Sequence, residues 1–256
     1  MLPVFIVDEL PDKGELFVSG DEAHHAINVT RIKVNEIIAL TDGKGRKVSV
    51  EVTSITKKSF SAKVLTVQDF PASKIWLTVM QALTKGDRAR ETIELLTEAG
   101  VDEIIPWSAN RSIGQFKDEQ DSLDKWRSWA RESTKQSRRA WFPKISTLQS
   151  GVSASEVLID FDLTLLFHES DGGKLSDLLT KAQSEKNLNK VLLIIGPEGG
   201  ISDEEAAAFL ERGALSVAMG LPIFRSAHAG SSTCCSTNWP WNLVEITYEM
   251  PLLRNS

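Results

Sequence analysis

The residues Gly196-Pro197-Glu198-Gly199-Gly200 stand between a short apolar run, 191–195, and the helix-start signal Ser202-x-x-Glu205. Glycines allow a backbone to come close to a ligand and to adopt unusual dihedrals. In an open α/β sheet, ligands bind beyond the carboxyl ends of the strands, where such a loop lies. The loop lacks the Gly-Lys-Ser/Thr ending of a P-loop and the G-x-G-x-x-G spacing of a dinucleotide site. A tight strand-to-helix turn without a ligand would use the same residues, so the motif alone leaves both readings open. A second loop, Met219-Gly220-Leu221-Pro222-Ile223-Phe224-Arg225, follows another short strand. Arg225 brings a permanent cation with five donors. Phe167-His168, again after a strand, offers a third wall for one pocket.

A second kind of chemistry is written between residues 125 and 144. Seven basic residues (Lys125, Arg127, Arg131, Lys135, Arg138, Arg139 and Lys144) face one acid, Glu132. Arg127, Arg131, Lys135 and Arg139 recur every four residues, which on a helix gives a cationic stripe. Phosphates need cations and unstacked bases need aromatic faces, so the stripe is read as an RNA contact. The interleaved Trp126, Trp129 and Trp141 are read as core. Arg31, Lys44, Arg46 and Lys47 form a second, weaker basic group.

The elements that must position these residues fall into two grammars. Up to about residue 70 the pattern is of short alternating strands with tight turns, such as Thr41-Asp42-Gly43-Lys44-Gly45. That suggests a small β-barrel or sandwich, with one helical stretch near Ser19 to His25. After Pro71 strands alternate with helices: a strand over 75–81, a helix over 88–99 and a strand over 101–106. A helix over 123–140, a strand over 163–167, a helix over 175–182 and a strand over 191–195 follow. A capped helix then runs from Ser202 to Arg212, with Gly213 as its stop, before a strand over 216–219. This rhythm predicts a mainly parallel sheet covered by helices.

The whole composition agrees with a soluble protein: 41% hydrophobic and 25% charged residues, a net charge of −6 and no apolar run of membrane-spanning length. The absence of a secretory-type N-terminus leads us to expect a cytoplasmic protein. The two adjacent cysteines, Cys234 and Cys235, offer neither a disulfide framework nor a metal site.

Taken in order, these motifs resemble the SPOUT superfamily of knotted methyltransferases. More narrowly, they resemble the bacterial enzymes that methylate N3 of a uridine in 16S ribosomal RNA (family site uracil 1498). The resemblance rests on the strand-G-P-E-G-G-helix and on G-L-P-x-F-R. It rests also on His25-Ala26-Ile27-Asn28-Val29-Thr30-Arg31, Gln81-Ala82-Leu83-Thr84-Lys85, Glu98-Ala99-Gly100-Val101, Asn110-Arg111-Ser112 and Gln136-Ser137-Arg138-Arg139.

It implies an α/β fold: a SPOUT-type knotted parallel sheet with helices on both faces over 71–256, preceded by a small PUA-like RNA-binding β-barrel over 1–70. It implies S-adenosyl-L-methionine as cofactor, 16S ribosomal RNA of the small subunit as substrate, a homodimer, and no metal or membrane. Cofactor contacts are expected from Phe167, His168, Ile195, Gly196, Glu198, Gly199, Gly200, Met219, Gly220, Leu221, Pro222, Phe224 and Arg225. Arg225 and Arg111 are the expected catalytic residues, stabilising negative charge on the base. Arg31, Arg46, Lys85, Arg127, Arg131, Lys135, Arg138 and Arg139 are the expected RNA contacts. No general base stands out, and Glu198 serves as well for the loop as for a proton.

The chain departs from the family after Gly230. The related enzymes continue with an Ala/Leu-rich helix, whereas Ser231-Ser232-Thr233-Cys234-Cys235-Ser236-Thr237-Asn238-Trp239-Pro240-Trp241 has no helical period, and Pro240 breaks it. Translated back with AGY codons at Ser232 and Ser236 and read one nucleotide later, this stretch permits Ala-Leu-Ala-Leu-Ala-Ala-Val-Gln-Ile-Gly-Leu-Gly. We therefore expect a shifted reading frame from about Ser231, with the helix that closes the cofactor pocket missing. Two rival readings stay open on sequence alone: a non-catalytic RNA-binding protein with a defective pocket, and a SPOUT enzyme acting on a different RNA site.

Overall fold

In the N-terminal part, inward valines alternate with polar residues along β4 (Arg46–Ile55), so Val48, Val50 and Val52 are buried while their neighbours are not. This strand pairs antiparallel with β3 (Ile37–Thr41) and β5 (Ser59–Asp69). The sheet is completed by β1 (Val4–Ile6) beside β3 and β2 (Glu15–Ser19) beside β5. Register shifts between Ser49/Val50 and Val52/Ser54 bend the long β4–β5 pair and help curl the sheet. Helix α1 (Gly20–His24) and the wider turn His25–Thr30 that extends it contribute Ala23 and Ala26 to the core, with Phe5, Ile38, Leu40 and Phe60. The computed structural model describes residues 2–86, 88–168, 173–174, 188–218 and 226–236.

The rest of the chain builds one parallel sheet. Its strands are β6 (Trp76–Ala82), β7 (Glu103–Ser108), β8 (Lys144–Ile145), β9 (Gln149–Ser150), β10 (Leu163–Phe167), β11 (Gly173–Lys174), β12 (Lys190–Ile195) and β13 (Leu215–Ala218). The spatial order is β11-β13-β10-β12-β6-β7-β8, with β9 also on β7. The central strands are apolar on both sides, as a sheet covered on two faces requires.

One face carries Leu77, Val79, Leu165, Leu193 and Ile195. It packs against Ile93 and Leu96 of α2 (Arg88–Glu98) and against Leu123, Trp126 and Ala130 of α3 (Glu119–Ser137). The other face carries Met80, Ala82, Trp107, Leu192 and Ile194. It packs against Phe209 of α4 (Asp203–Glu211) and the 3-10 segment Gly151–Asp160. This is a parallel sheet with helices on both faces, behind a small curled sheet, as the motifs lead one to expect.

Two expectations about helices are corrected. The helix expected over 123–140 runs from Glu119 to Ser137: Asp118 caps its start by accepting from Asp121 N, and Arg138 adopts φ 57 at its end. A left-handed residue terminates a helix, so Arg139 lies outside the helical period. The stretch from Ser231, expected to lack helical structure, is helical as far as Ser236, in α5 (Ser226–Ser236). Sequence period failed there because the residues turned inward are small and hydroxylic rather than aliphatic. Ser231 and Thr233 are buried and return their hydroxyls to His228 O and Ala229 O of their own helix. Residues 237–256, and the helix expected over 175–182, lie outside the described residues.

The barrel is joined to the sheet domain by a clasp. Lys44 bridges Trp141, Gly45 N donates to Ala140 O and Phe142 N to Gly43 O. A Cβ at Gly43 would enter the Phe142 ring, and one at Gly45 the Trp141 ring. Gly43 also has φ 67, so Gly43→Ala combines overpacking with strain. That variant is expected to lose about 3 kcal/mol of stability; a melting temperature equal to wild type would contradict this role of the clasp.

Candidate active site

Four strands end side by side. Val217, Phe167, Ile195 and Gln81 are consecutive register partners across β13, β10, β12 and β6, and all four strands run the same way. The chain therefore leaves the sheet at the carboxyl ends of these strands, where parallel sheets place ligands. Phe167 is half-buried against the core, and His168 N donates to Val217 O.

From Ile195 the glycine loop turns sharply. Gly200 N donates to Pro197 O at 2.9 Å, and Gly200 sits at φ 75, a region open to glycine at little cost. A Cβ on Gly196 would lie 2.6 Å from Ile201 Cγ1. One on Gly199 would lie 3.2 Å from both Cβ and the carbonyl oxygen of Arg111. The loop is packed too tightly on its inner side for larger residues. It is followed by α4, whose capping box is formed as expected: Glu205 N binds Ser202 Oγ, and Ser202 N binds Glu205 Oε2.

Four further contacts fix the loop from outside. Glu205, fully buried, accepts from Asn110 N at 2.7 Å, and Asn110 Nδ2 donates to Ser202 Oγ at 3.2 Å. Arg111 is thereby laid across the loop, its Nη1 3.5 Å from Ile201 O. Arg88 of α2 meets Glu198 at 3.3 Å, so the Glu198 carboxylate ties the loop to a helix rather than standing free as a base. On the inner side, Ser226 Oγ donates to Gly196 O at 2.7 Å, and Gln81 Nε2 donates to Ser226 Oγ at 3.1 Å. The first residue of α5 is thus latched onto the loop.

Gln81, Asn110, Glu205 and Ser226 were not singled out as site residues by type and spacing. The one available signal was Gln81 itself, a polar residue ending an otherwise buried strand. Met219, Gly220, Leu221, Pro222, Phe224 and Arg225 lie outside the described residues. Among the described residues, no cluster of three or more His, Cys, Asp or Glu is arranged to hold a metal ion.

The basic stripe does not survive as one surface. Lys135 is buried, bonded to Glu22 at 2.9 Å and lying 5.2 Å over the Phe5 ring. Arg139 donates to Thr97 O and Val101 O at 2.8 Å and to Gly100 O at 3.3 Å, filling the carbonyl end of α2. Burial lowers its pKa, an effect opposed by Asp102 at 3.8 Å. Arg46 is held between Asp69 at 2.7 Å and Asp12 at 2.8 Å.

Lys135 and Arg139 are spent on the fold, which takes them out of the surface stripe, whereas Arg46 stays at the surface between two exposed carboxylates. The Arg138 carbonyl accepts from Lys47, whose own pKa is lowered by burial and by the nearby Arg138 charge. Arg127 is exposed beside Asp124, and Arg131 stacks over Phe142 at 5.4 Å. Arg31 and Lys85 are exposed.

Comparison with known proteins adds the decisive observation. Residues 71–237, well over half of the chain, match the RNA methyltransferase domain family, and residues 18–65 match the RNA methyltransferase PUA domain. The chain belongs to this RNA methyltransferase family. A ribosomal RNA small subunit methyltransferase E from Mycobacterium bovis is 34% identical over 239 residues, covering 89% of this chain and 88% of the relative. The corresponding protein of Bacillus subtilis is 26% identical, covering 93% and 91%. Among solved structures, the Neisseria gonorrhoeae methyltransferase E bound to S-adenosyl methionine shares the fold with a TM-score of 0.81 at 24% identity, covering 95% of this chain and 98% of that one. The glycine loop and its latch are thus features of a family member that spans 88% to 98% of the length of these relatives.

Proposed function

We propose that this protein transfers a methyl group from S-adenosylmethionine to N3 of a uridine in 16S ribosomal RNA of the small subunit. The observation that carries the reading is the line of strand ends Val217, Phe167, Ile195 and Gln81 beneath a glycine loop braced by Arg111 and Ser226. Its family membership and the name of its Mycobacterium bovis relative supply the substrate class. S-adenosylmethionine, when bound, supplies an electrophilic methyl group.

The residues present fit such a group. Ile195, Gly196, Glu198, Gly199 and Gly200 offer backbone at close range and Phe167 and His168 the adjacent wall; the segment 219–224, outside the described residues, is assigned to the same cofactor by its sequence motif alone. Uridine N3 is a weak acid, so negative charge develops on the base as its proton leaves. Arg225 and Arg111 stabilise that charge, the first as the main catalytic group. Holding base and methyl donor in line supplies much of the remaining acceleration. RNA phosphates are met by Arg31, Arg46, Lys85, Arg127, Arg131 and Arg138, the members of the expected set other than Lys135 and Arg139. A homodimer belongs to this reading, with an expected mass of about twice 28.3 kDa in sedimentation.

The presence of α5, latched to Gly196, favours a working pocket over a non-catalytic RNA-binding role. Calorimetry with S-adenosylmethionine is expected to show one cofactor per chain. Absence of binding by folded protein would sink the enzymatic reading and leave the RNA-binding one.

A further inference from the structure

Gln81 holds a feature that the fold does not explain. Its side chain is 1% exposed, between the fully buried Met80 and Ala82. Both amide protons are used, toward Ala82 O and Ser226 Oγ, each at 3.1 Å. The Ser226 proton goes on to Gly196 O. This chain of donors fixes the orientation of the carboxamide: a flipped amide would set Oε1 against the Ala82 carbonyl, two acceptors face to face. Oε1 is therefore the free end, and among the described residues it has no hydrogen-bond partner.

A buried acceptor left unpaired costs about 1–3 kcal/mol, and such atoms are rare in native proteins. A methionine of similar length would fill the same space without that cost. The orphaned oxygen also lies at a telling place, on the residue paired in register with Ile195, where β12 gives way to the glycine loop.

We propose that Gln81 Oε1 accepts a hydrogen bond from a donor group of bound S-adenosylmethionine, making Gln81 a cofactor-binding residue as well as part of the Ser226 latch. The proposal rests on the cofactor assignment above. The donors that S-adenosylmethionine offers are its ammonium, the adenine 6-amino group and the ribose hydroxyls. All are neutral or cationic N–H or O–H groups that an uncharged carbonyl-type oxygen accepts. The apo protein carries the cost of the unpaired acceptor, and binding removes it.

The test is a cycle between side chain and ligand. Wild type and Gln81→Met are titrated calorimetrically with S-adenosylmethionine and with 5′-methylthioadenosine, which lacks the ammonium. They are titrated also with the 6-deamino, 2′-deoxy and 3′-deoxy forms of 5′-methylthioadenosine. We expect Gln81→Met to weaken S-adenosylmethionine at least tenfold. That loss should shrink below threefold for the ligand missing the bonded donor, which names the donor. An equal loss for every ligand means that Gln81 only shapes the pocket, and no loss at all means that Oε1 faces no ligand; either overturns the proposal.

Should the variant not fold, the Gln81 side-chain carbonyl ¹³C resonance of wild type is followed during titration. It shifts with S-adenosylmethionine and stays in place with the donor-deleted ligand if the bond exists, and behaves alike with both if it does not. A wild type that fails to bind S-adenosylmethionine refutes the functional reading itself, whereas binding that is indifferent to Gln81 refutes this inference alone.

Discussion

Arg225→Ala is expected to lower the methylation rate by about a hundred- to a thousandfold, the usual cost of deleting one preorganised charge-stabilising donor. The expectation follows from the chemistry of the base and from chain connectivity. Uracil must shed the N3 proton before or during methyl transfer, so the transition state carries charge that the ground state does not. A group that meets only that charge changes kcat more than substrate binding. Arg225 precedes Ser226, whose hydroxyl is pinned to Gly196 O and to Gln81, so the chain enters α5 beside the glycine loop. Arg111, by contrast, is already engaged with Ile201 O and packs on Gly199, and its replacement by Ala is expected to cost about tenfold, partly through the loop. Single-turnover rates on small ribosomal subunits check both. Normal turnover by Arg225→Ala would remove that residue from the mechanism.

Gly199→Val is expected to weaken S-adenosylmethionine binding by at least about a hundredfold, or nearly 3 kcal/mol. Even a Cβ there would stand 3.2 Å from Arg111 Cβ and from the Arg111 backbone oxygen. The flexible end of a side chain can yield, but a backbone carbonyl cannot yield cheaply. The γ-methyl groups of valine must therefore displace either the loop or the Asn110-Arg111 turn. That turn is held by the buried Glu205 through Asn110 N, so the loop is the part that moves. The distortion is local to the end of β12, and circular dichroism should show a folded chain. Wild-type affinity in this variant would mean that the glycine loop does not line the cofactor site.

How much of this was legible beforehand differed by element. The parallel sheet could be read because its strands are short apolar runs separated by amphipathic helices, and the Ser202–Glu205 capping box has a local signature that tertiary context did not override. The clasp between barrel and sheet was not legible. It depends on Gly43 and Gly45 receiving the rings of Phe142 and Trp141, about a hundred residues away.

The cationic stripe misled for a related reason. A four-residue spacing states which side chains share a helix face only while the helix lasts, and Arg138 ends it one residue before Arg139. Lys135 then finds Glu22 of the barrel, and Arg139 finds the carbonyls closing α2, contacts that no local pattern records. The helical run over 231–236 was not legible because apolar period was the criterion. Gly230 instead brings α5 close to the sheet domain, its missing Cβ leaving room for Leu96, Ile195 and Val79.

The most direct test of the central claim is to map methylated nucleosides in small-subunit ribosomal RNA. Small ribosomal subunits from cells lacking the gene are incubated with the purified protein and S-adenosylmethionine, then digested and analysed by mass spectrometry. On the proposed function a single new N3-methyluridine should appear with the protein and be absent without it. A methyl group on another atom or another RNA, or none at all from protein that binds S-adenosylmethionine, would contradict the account.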